Sequence, residues 1–246
     1  MDLTTEEEKI KLESIDWIKA NKEKIINYFI LSKDIFTESK TLVSIFMAGS
    51  PGAGKTEASK AFLEEIGADN VLRLDPDELR ELIPGYTGDN SYLFHRAVSF
   101  IVERTLDHAF KNKQSFLLDG TLASYDVAEK NIERSIRKGR KVLILFVYQK
   151  PEYAWEFVEA REKLEGRRIL PNTFIDQFFA SQNVIKELKL KFGSQIKVDL
   201  LVKNNKGRTR FYHDNVQAIE HHLDEKFTRE DLQSLIESPF SSKNEL

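Results

Sequence analysis

Gly49-Ser50-Pro51-Gly52-Ala53-Gly54-Lys55-Thr56 is a complete G-x-x-x-x-G-K-T phosphate-binding loop, and its flanks decide the fold. Residues 41–48 before it form an apolar, partly β-branched run of the kind that makes a buried parallel strand, and Glu57 to Ile66 after it has helical spacing. Strand, loop and helix therefore follow in the order this chemistry requires. The glycines let backbone N–H groups turn inward around an anion, and the helix that follows directs its positive end at the same place. Lys55 would then reach the outer phosphates of a nucleotide, and Thr56 would give a hydroxyl to a magnesium ion that keeps most of its water.

Outward from that loop, apolar strand-like runs alternate with helical ones, the pattern of a parallel sheet covered on both faces. Strands are predicted at 41–48, 71–75, 115–119, 141–148 and 196–202, and helices at 56–66, 77–82, 91–112, 126–138, 151–164 and 173–191. Asp126 or a neighbour is expected to cap the 126–138 helix. The stretch 200–212, with Asn205-Lys206-Gly207 at its middle, reads as a terminal hairpin. The fold class is thus α/β, a P-loop NTPase-like parallel sheet flanked by helices.

Three zones are expected: a helical extension over 1–40, the phosphate-loop domain over 41–214 and a helical tail over 215–246. Thr5 and Glu8 stand at capping-box spacing, and Ile10, Ile15, Trp17, Ile18, Ile25 and Ile26 give the extension an apolar stripe that needs a surface to dock on. Residues Ser238 to Leu246 are mostly polar, with only Phe240 to anchor them, and are expected to fray.

The chain has 246 residues, 41% of them hydrophobic, enough for a real core. No apolar run reaches the ~20 residues of a membrane span, and the acidic start Met1 to Glu8 is unlike a signal peptide. With zero cysteines there is no disulfide, thiolate metal site or cysteine catalysis, and a cytoplasmic location is expected. A formal charge of −3 argues against broad nucleic-acid binding. The basic cluster Arg134, Arg137, Lys138, Arg140 and Lys141 is read as a solvated helix end. His221 and His222 are adjacent and diverge on a helix, and His95, His108 and His213 lack ligand-like spacing.

In open α/β sheets the ligand lies beyond the carboxyl ends of the strands, and three groups of chemistry-bearing residues fall there. The second strand ends in Asp75-Pro76-Asp77, where one acid can cap the next helix and the other can accept a proton from an attacking hydroxyl; Asp77 is the choice for the base. The third strand ends in Asp119-Gly120-Thr121. Asp119 there could support magnesium, bind substrate hydroxyls together with Thr121, or simply end the strand in a polar turn. Arg161 to Pro171 leaves a helix through Gly166 and carries Arg161, Arg167 and Arg168, either a lid that grips phosphates or a solvated helix end.

In this order the residues resemble the zeta-toxin family of kinases, toxins of toxin–antitoxin systems that phosphorylate UDP-N-acetylglucosamine. The likeness covers about residues 41–212. It implies ATP and Mg2+ as cofactors, a nucleotide-sugar substrate and a small antitoxin as partner. It carries the catalytic base onto Asp77, substrate contacts onto Glu103, Asp119 and Thr121, and the two arginines on ATP phosphates onto Arg161 and Arg168. Two departures stand out: Asp119 replaces the family's glutamate, and Ala123 stands where an arginine is frequent. A polynucleotide or other small-molecule kinase, a nucleotide-gated interaction protein with a vestigial site, and a built-in antitoxin in residues 1–40 are the rival readings.

Overall fold

The computed structural model describes residues 3–31, 41–68, 70–204 and 208–237. Its centre is one six-stranded sheet of β1 (Val43–Ala48), β2 (Val71–Leu74), β3 (Ser115–Leu118), β4 (Lys141–Tyr148), β5 (Ile196–Lys203) and β6 (Thr209–His213). The strand order is β2-β3-β1-β4-β5-β6. All neighbours pair parallel except β5 with β6, which pair antiparallel. The predicted hairpin is therefore present, while its turn, 205–207, lies outside the described residues.

β1 sits between β3 and β4, so the chain leaves it to one side for β2 and β3 and to the other for β4 and β5. This reversal opens a crevice at the carboxyl end of β1, where the phosphate loop begins. Helices α2 (Lys55–Glu65), α3 (Pro76–Arg80), α4 (His95–Lys111), α5 (Tyr125–Arg137), α6 (Pro151–Glu165) and α7 (Pro171–Phe192) make the crossovers. Both faces of the sheet are apolar: Phe46, Leu72, Phe116, Ile144 and Phe146 pack into one cluster, and Ile45, Met47, Leu117, Leu145 and Val147 into the other. Such continuous apolar strands follow from burial on two faces.

Most element boundaries agree with the periodicity within two residues. The helix predicted over 91–112 instead starts as a 3-10 turn, Ser91–Phe94, before α4. The helix predicted from 173 starts at Pro171, whose ring suits the first helical position. Ser124, not Asp126, stands at the N-cap of α5, and its side chain makes no capping bond.

The N-terminal helix, α1 (Thr5–Leu31), packs chiefly on α4 and the Ser91–Phe94 turn. Among the described residues Ile15, Ile18, Ile25, Ile26 and Ile30 are its buried apolar side chains. Its capping box is one residue earlier than the spacing predicts. Thr4 N donates to Glu7 Oε2 at 2.7 Å, and Glu7 N donates to Thr4 Oγ1 at 3.2 Å. The run Thr-Thr-Glu-Glu-Glu fits both registers, and in the one adopted Leu3 packs on the core while Glu7 meets the Tyr92 hydroxyl.

Arg140 departs from the expected solvated cluster: it is 5% exposed, with Nε donating to Ser44 Oγ at 2.7 Å and Nη2 to the carbonyls of Val43 (2.7 Å) and Gln114 (2.5 Å). A last helix, α8 (Arg229–Glu237), packs on α6 and α7, and the tail expected to fray, 238–246, lies outside the described residues. Among the described residues no helix is long and apolar enough to cross a membrane.

Candidate functional site

The phosphate loop is held in a shape that needs glycine at its bends. Gly49 has φ +133° and Gly52 φ +72°, and a Cβ on either would come within 2.2 Å of the Val147 carbonyl oxygen or 2.0 Å of the Ala154 carbonyl oxygen, respectively. The loop is thus pressed against the end of β4 and the start of α6. Gly54 caps α2 without a side-chain bond, which leaves the first-turn N–H groups available to an anion. Lys55 folds back, its ammonium donating to the Ser50 carbonyl at 2.7 Å. Burial pushes that ammonium down to about 8, against the pull of Asp119 and Asp77, with Arg167 and Arg161 pushing it further down.

Across the crevice, the β2–α3 corner divides its two acids by task. Asp75 is the cap: its Oδ1 accepts from Asp77 N at 2.9 Å. Burial, then the neighbouring Asp119 and Asp77 charges, raise the Asp75 carboxyl above its ordinary value. Asp77, relieved of capping, is half-buried and bridges two cations, Arg80 Nη1 at 2.8 Å and Arg167 Nη1. Arg80 lies three residues on, on the same face of α3.

The end of β3 supplies Asp119, nearly enclosed, whose Oδ2 accepts from Ser59 Oγ at 2.8 Å and Arg73 Nη2 at 2.6 Å. Two residues later the Thr121 carbonyl accepts from Gly49 N at 3.2 Å, stitching this segment to the phosphate loop. Leu122 follows with φ +53°, a left-handed conformation that a leucine adopts only when its surroundings enforce it.

Lys55, Thr56, Asp77, Asp119, Thr121 and Arg161 all open onto one cleft of about 930 Å3. Gly49 and Ser50, at the base of the loop, lie behind its lining, and two further expected residues are away from it. Arg168 is largely exposed, with Nε 3.7 Å from Glu162 Oε1, and the guanidinium on the cleft wall at this segment is that of Arg167. Gly166, at φ +70°, ends α6 and turns the chain so that Arg167 and not its neighbour faces inward. Glu103 on α4 is outside the lining and pairs with Lys130 at 2.8 Å. Arg161 lines the cleft while paired with Glu165 at 2.9 Å.

Among the described residues no three or more His, Cys, Asp or Glu side chains converge as a metal cage. The donor set at the loop is the Thr56 hydroxyl and the Asp119 carboxylate, which fits a hard cation held mainly by water and phosphate oxygens, as magnesium is. Sequence reading missed Arg73, Ser59 and Arg80, and it placed Arg167 on the arginine segment but carried the phosphate contact onto Arg168. Arg73 did carry a signal, a charge inside a four-residue strand that is otherwise apolar.

The family model for Zeta toxin matches residues 30–217, a span that takes in the sheet, the loop and the whole cleft. The chain belongs to the zeta toxin family. Toxin PezT of Streptococcus pneumoniae serotype 4 (strain ATCC BAA-334 / TIGR4) is 27% identical over 124 residues, 48% of this chain and 49% of PezT, so the match spans about half the length of that curated relative. A structure from the PezAT chromosomal toxin–antitoxin system of the same species superposes with a TM-score of 0.59 at 18% identity, over 98% of this chain and 91% of that one. A chain of the AvrRxo1-ORF1:AvrRxo1-ORF2 structure with sulfate ions superposes with a TM-score of 0.54 at 15% identity, over 84% and 65%. These two likenesses concern the fold. With the family match they make the protein a zeta-toxin member built on a kinase-like P-loop fold.

Proposed function

We propose that this zeta-toxin member is an ATP- and magnesium-dependent kinase that moves the γ-phosphate to a hydroxyl of a small molecule. A nucleotide sugar of the UDP-N-acetylglucosamine type is the acceptor that family membership favours. The reading is carried by the carboxylate of Asp77, freed from capping by Asp75, on the same cleft as Lys55 and the phosphate loop.

In this mechanism the loop amides and Lys55 hold the β and γ phosphates, while Arg161 and Arg167 offset the charge that builds on the transferring group. Magnesium, held by Thr56 with Asp119 behind it, would screen the phosphate oxygens. An acceptor hydroxyl placed against Asp77 gives it its proton as the new O–P bond forms, the bond from the γ-phosphorus to the bridging oxygen breaks, and ADP departs with that oxygen. Arg167 must move from Asp77 to the phosphates for this to happen, because a carboxylate fully engaged by two cations is a poor base. Thr121 would receive an acceptor hydroxyl, a role that Asp119 would share only if its carboxylate were not given to magnesium. Arg168 and Glu103 reach the site only if their segments move.

The toxin–antitoxin setting of the PezAT structure supports a small antitoxin as partner. The described part of α1 lies on α4, and none of its described residues lines the cleft.

The test is Asp77→Asn with labelled ATP and a panel of nucleotide sugars and oligonucleotides. The expected result is retained nucleotide binding with turnover down about a thousandfold, as for loss of a general base. A variant with parental turnover removes the base, and transfer to oligonucleotides but no sugar would reassign the acceptor.

A further inference from the structure

Arg73 is a charged residue in a strand whose four positions are all buried; it is 7% exposed, between Leu72 and Leu74. All three nitrogens of its guanidinium donate hydrogen bonds. Nε donates to Ser59 Oγ at 2.9 Å, Nη1 to Glu78 Oε1 at 2.6 Å, and Nη2 to Asp75 Oδ2 at 2.7 Å and to Asp119 Oδ2 at 2.6 Å. These partners sit on three separate parts of the site: the first turns of α2, the corner that carries Asp77, and the end of β3.

Packing does not explain such a residue. Taking a guanidinium out of water costs several kcal/mol, and a well-packed apolar side chain in its place is often as stable or more so. One cation also leaves three carboxylates short of neutrality. The distribution of bonds on Asp119 is more telling. Among the described residues both of its side-chain hydrogen bonds end on the same oxygen, Oδ2, although the carboxylate lies on the wall of the cleft. Ser59 in turn lies 2.9 Å from the Thr56 carbonyl, so Asp119 is referenced to the turn that carries the Thr56 hydroxyl.

Resting on the phosphoryl-transfer reading above, we propose that Arg73 is a positioning residue that, with Ser59, holds Oδ2 of Asp119 so that Oδ1 is the oxygen offered to the nucleotide-bound cation. It locks the Asp77 corner to the same carboxylate through Asp75 and Glu78. The planar fork is needed for this. A lysine ammonium in the same place carries the charge but cannot span partners on three elements.

The experiment compares the full chain with Arg73→Lys and Arg73→Met. ATP affinity is measured by calorimetry in EDTA and again in excess MgCl2, alongside thermal melting and steady-state kinetics. Both variants are expected to bind ATP in EDTA within about twofold of the parent, because the phosphate loop is untouched. The tightening that MgCl2 gives should fall about tenfold in both, with kcat down at least about tenfold and KM for ATP little changed. A purely structural role would lower the melting temperature without that selective loss, and a folded variant that keeps the parent's magnesium gain and kcat overturns the inference. If neither Arg73 variant folds, Ser59→Ala carries the test: the magnesium gain should drop about threefold, and an unchanged gain overturns the inference. A parent protein with no magnesium gain at all sinks the phosphoryl-transfer reading, and this inference with it. Retention of the gain in the variants sinks this inference alone.

Discussion

Lys55 shows how much of the site is set by single side chains. Its ammonium is held at about 8, chiefly by burial, against 10.5 for an ordinary lysine. Below pH 8 the group is charged in folded and unfolded chain alike, so the folded protein carries the whole cost of desolvating it; as pH rises through 8 towards 10.5 the folded form releases its proton first and that cost disappears. Lys55→Met is therefore expected to stabilise the nucleotide-free protein in EDTA at pH 7 by about 1–2 kcal/mol, the full shift being discounted for the part of the side chain that still meets water. The gain should vanish by about pH 10. Urea melts at both pH values check it, and a variant less stable than the parent at pH 7 would show that the bond to the Ser50 carbonyl outweighs desolvation. The same substitution should abolish ATP binding, so stability and function oppose each other at this one residue.

Elements built on periodic apolar patterns were legible from the sequence. β4 runs over 141–148 as predicted, because its apolar run is unbroken and both faces are buried from Ile144 onward. Charged residues that the fold buries were not legible, since their meaning depends on which strands become neighbours. Arg140 is the clearest case: adjacent to a basic run, it instead ties together the start of β1 and the lead into β3, at the opposite end of the strands from the cleft. Arg140→Met would leave the Ser44 hydroxyl and the two carbonyls without their donor, and about 3 kcal/mol of stability should be lost. Because α2 and the phosphate loop lie at the other end, ATP affinity should stay within about twofold of the parent, measured by calorimetry below the melting range. An affinity change as large as the stability change would mean that the sheet transmits the damage. The choice between Arg167 and Arg168 was illegible for a related reason. Sequence spacing cannot say which of two adjacent side chains a left-handed Gly166 turns inward.

At the scale of the whole molecule, the cleft has two walls that the sheet order assigns to different halves of the chain. β2 and β3 carry Asp77 and Asp119, while β4 leads into α6 and the Gly166–Leu170 segment with Arg167. The Arg167–Asp77 ion pair bridges those walls, so in the absence of nucleotide the protein's own carboxylate occupies the guanidinium that a triphosphate would want. On the proposed reading, binding ATP exchanges one anion for another on Arg167, and the two anions compete. Removing the Asp77 charge should therefore favour ATP: Asp77→Asn is expected to bind it about threefold tighter than the parent, the size of a half-exposed ion pair. Arg167→Gln should bind it more weakly, and in that background Asp77→Asn should bring little further gain, since the competitor's partner is already gone. Calorimetry on the four proteins of this cycle measures the coupling. If Asp77→Asn tightens ATP equally with and without Arg167, the two walls are not linked by this contact, and the gain comes only from general repulsion between the carboxylate and the phosphates.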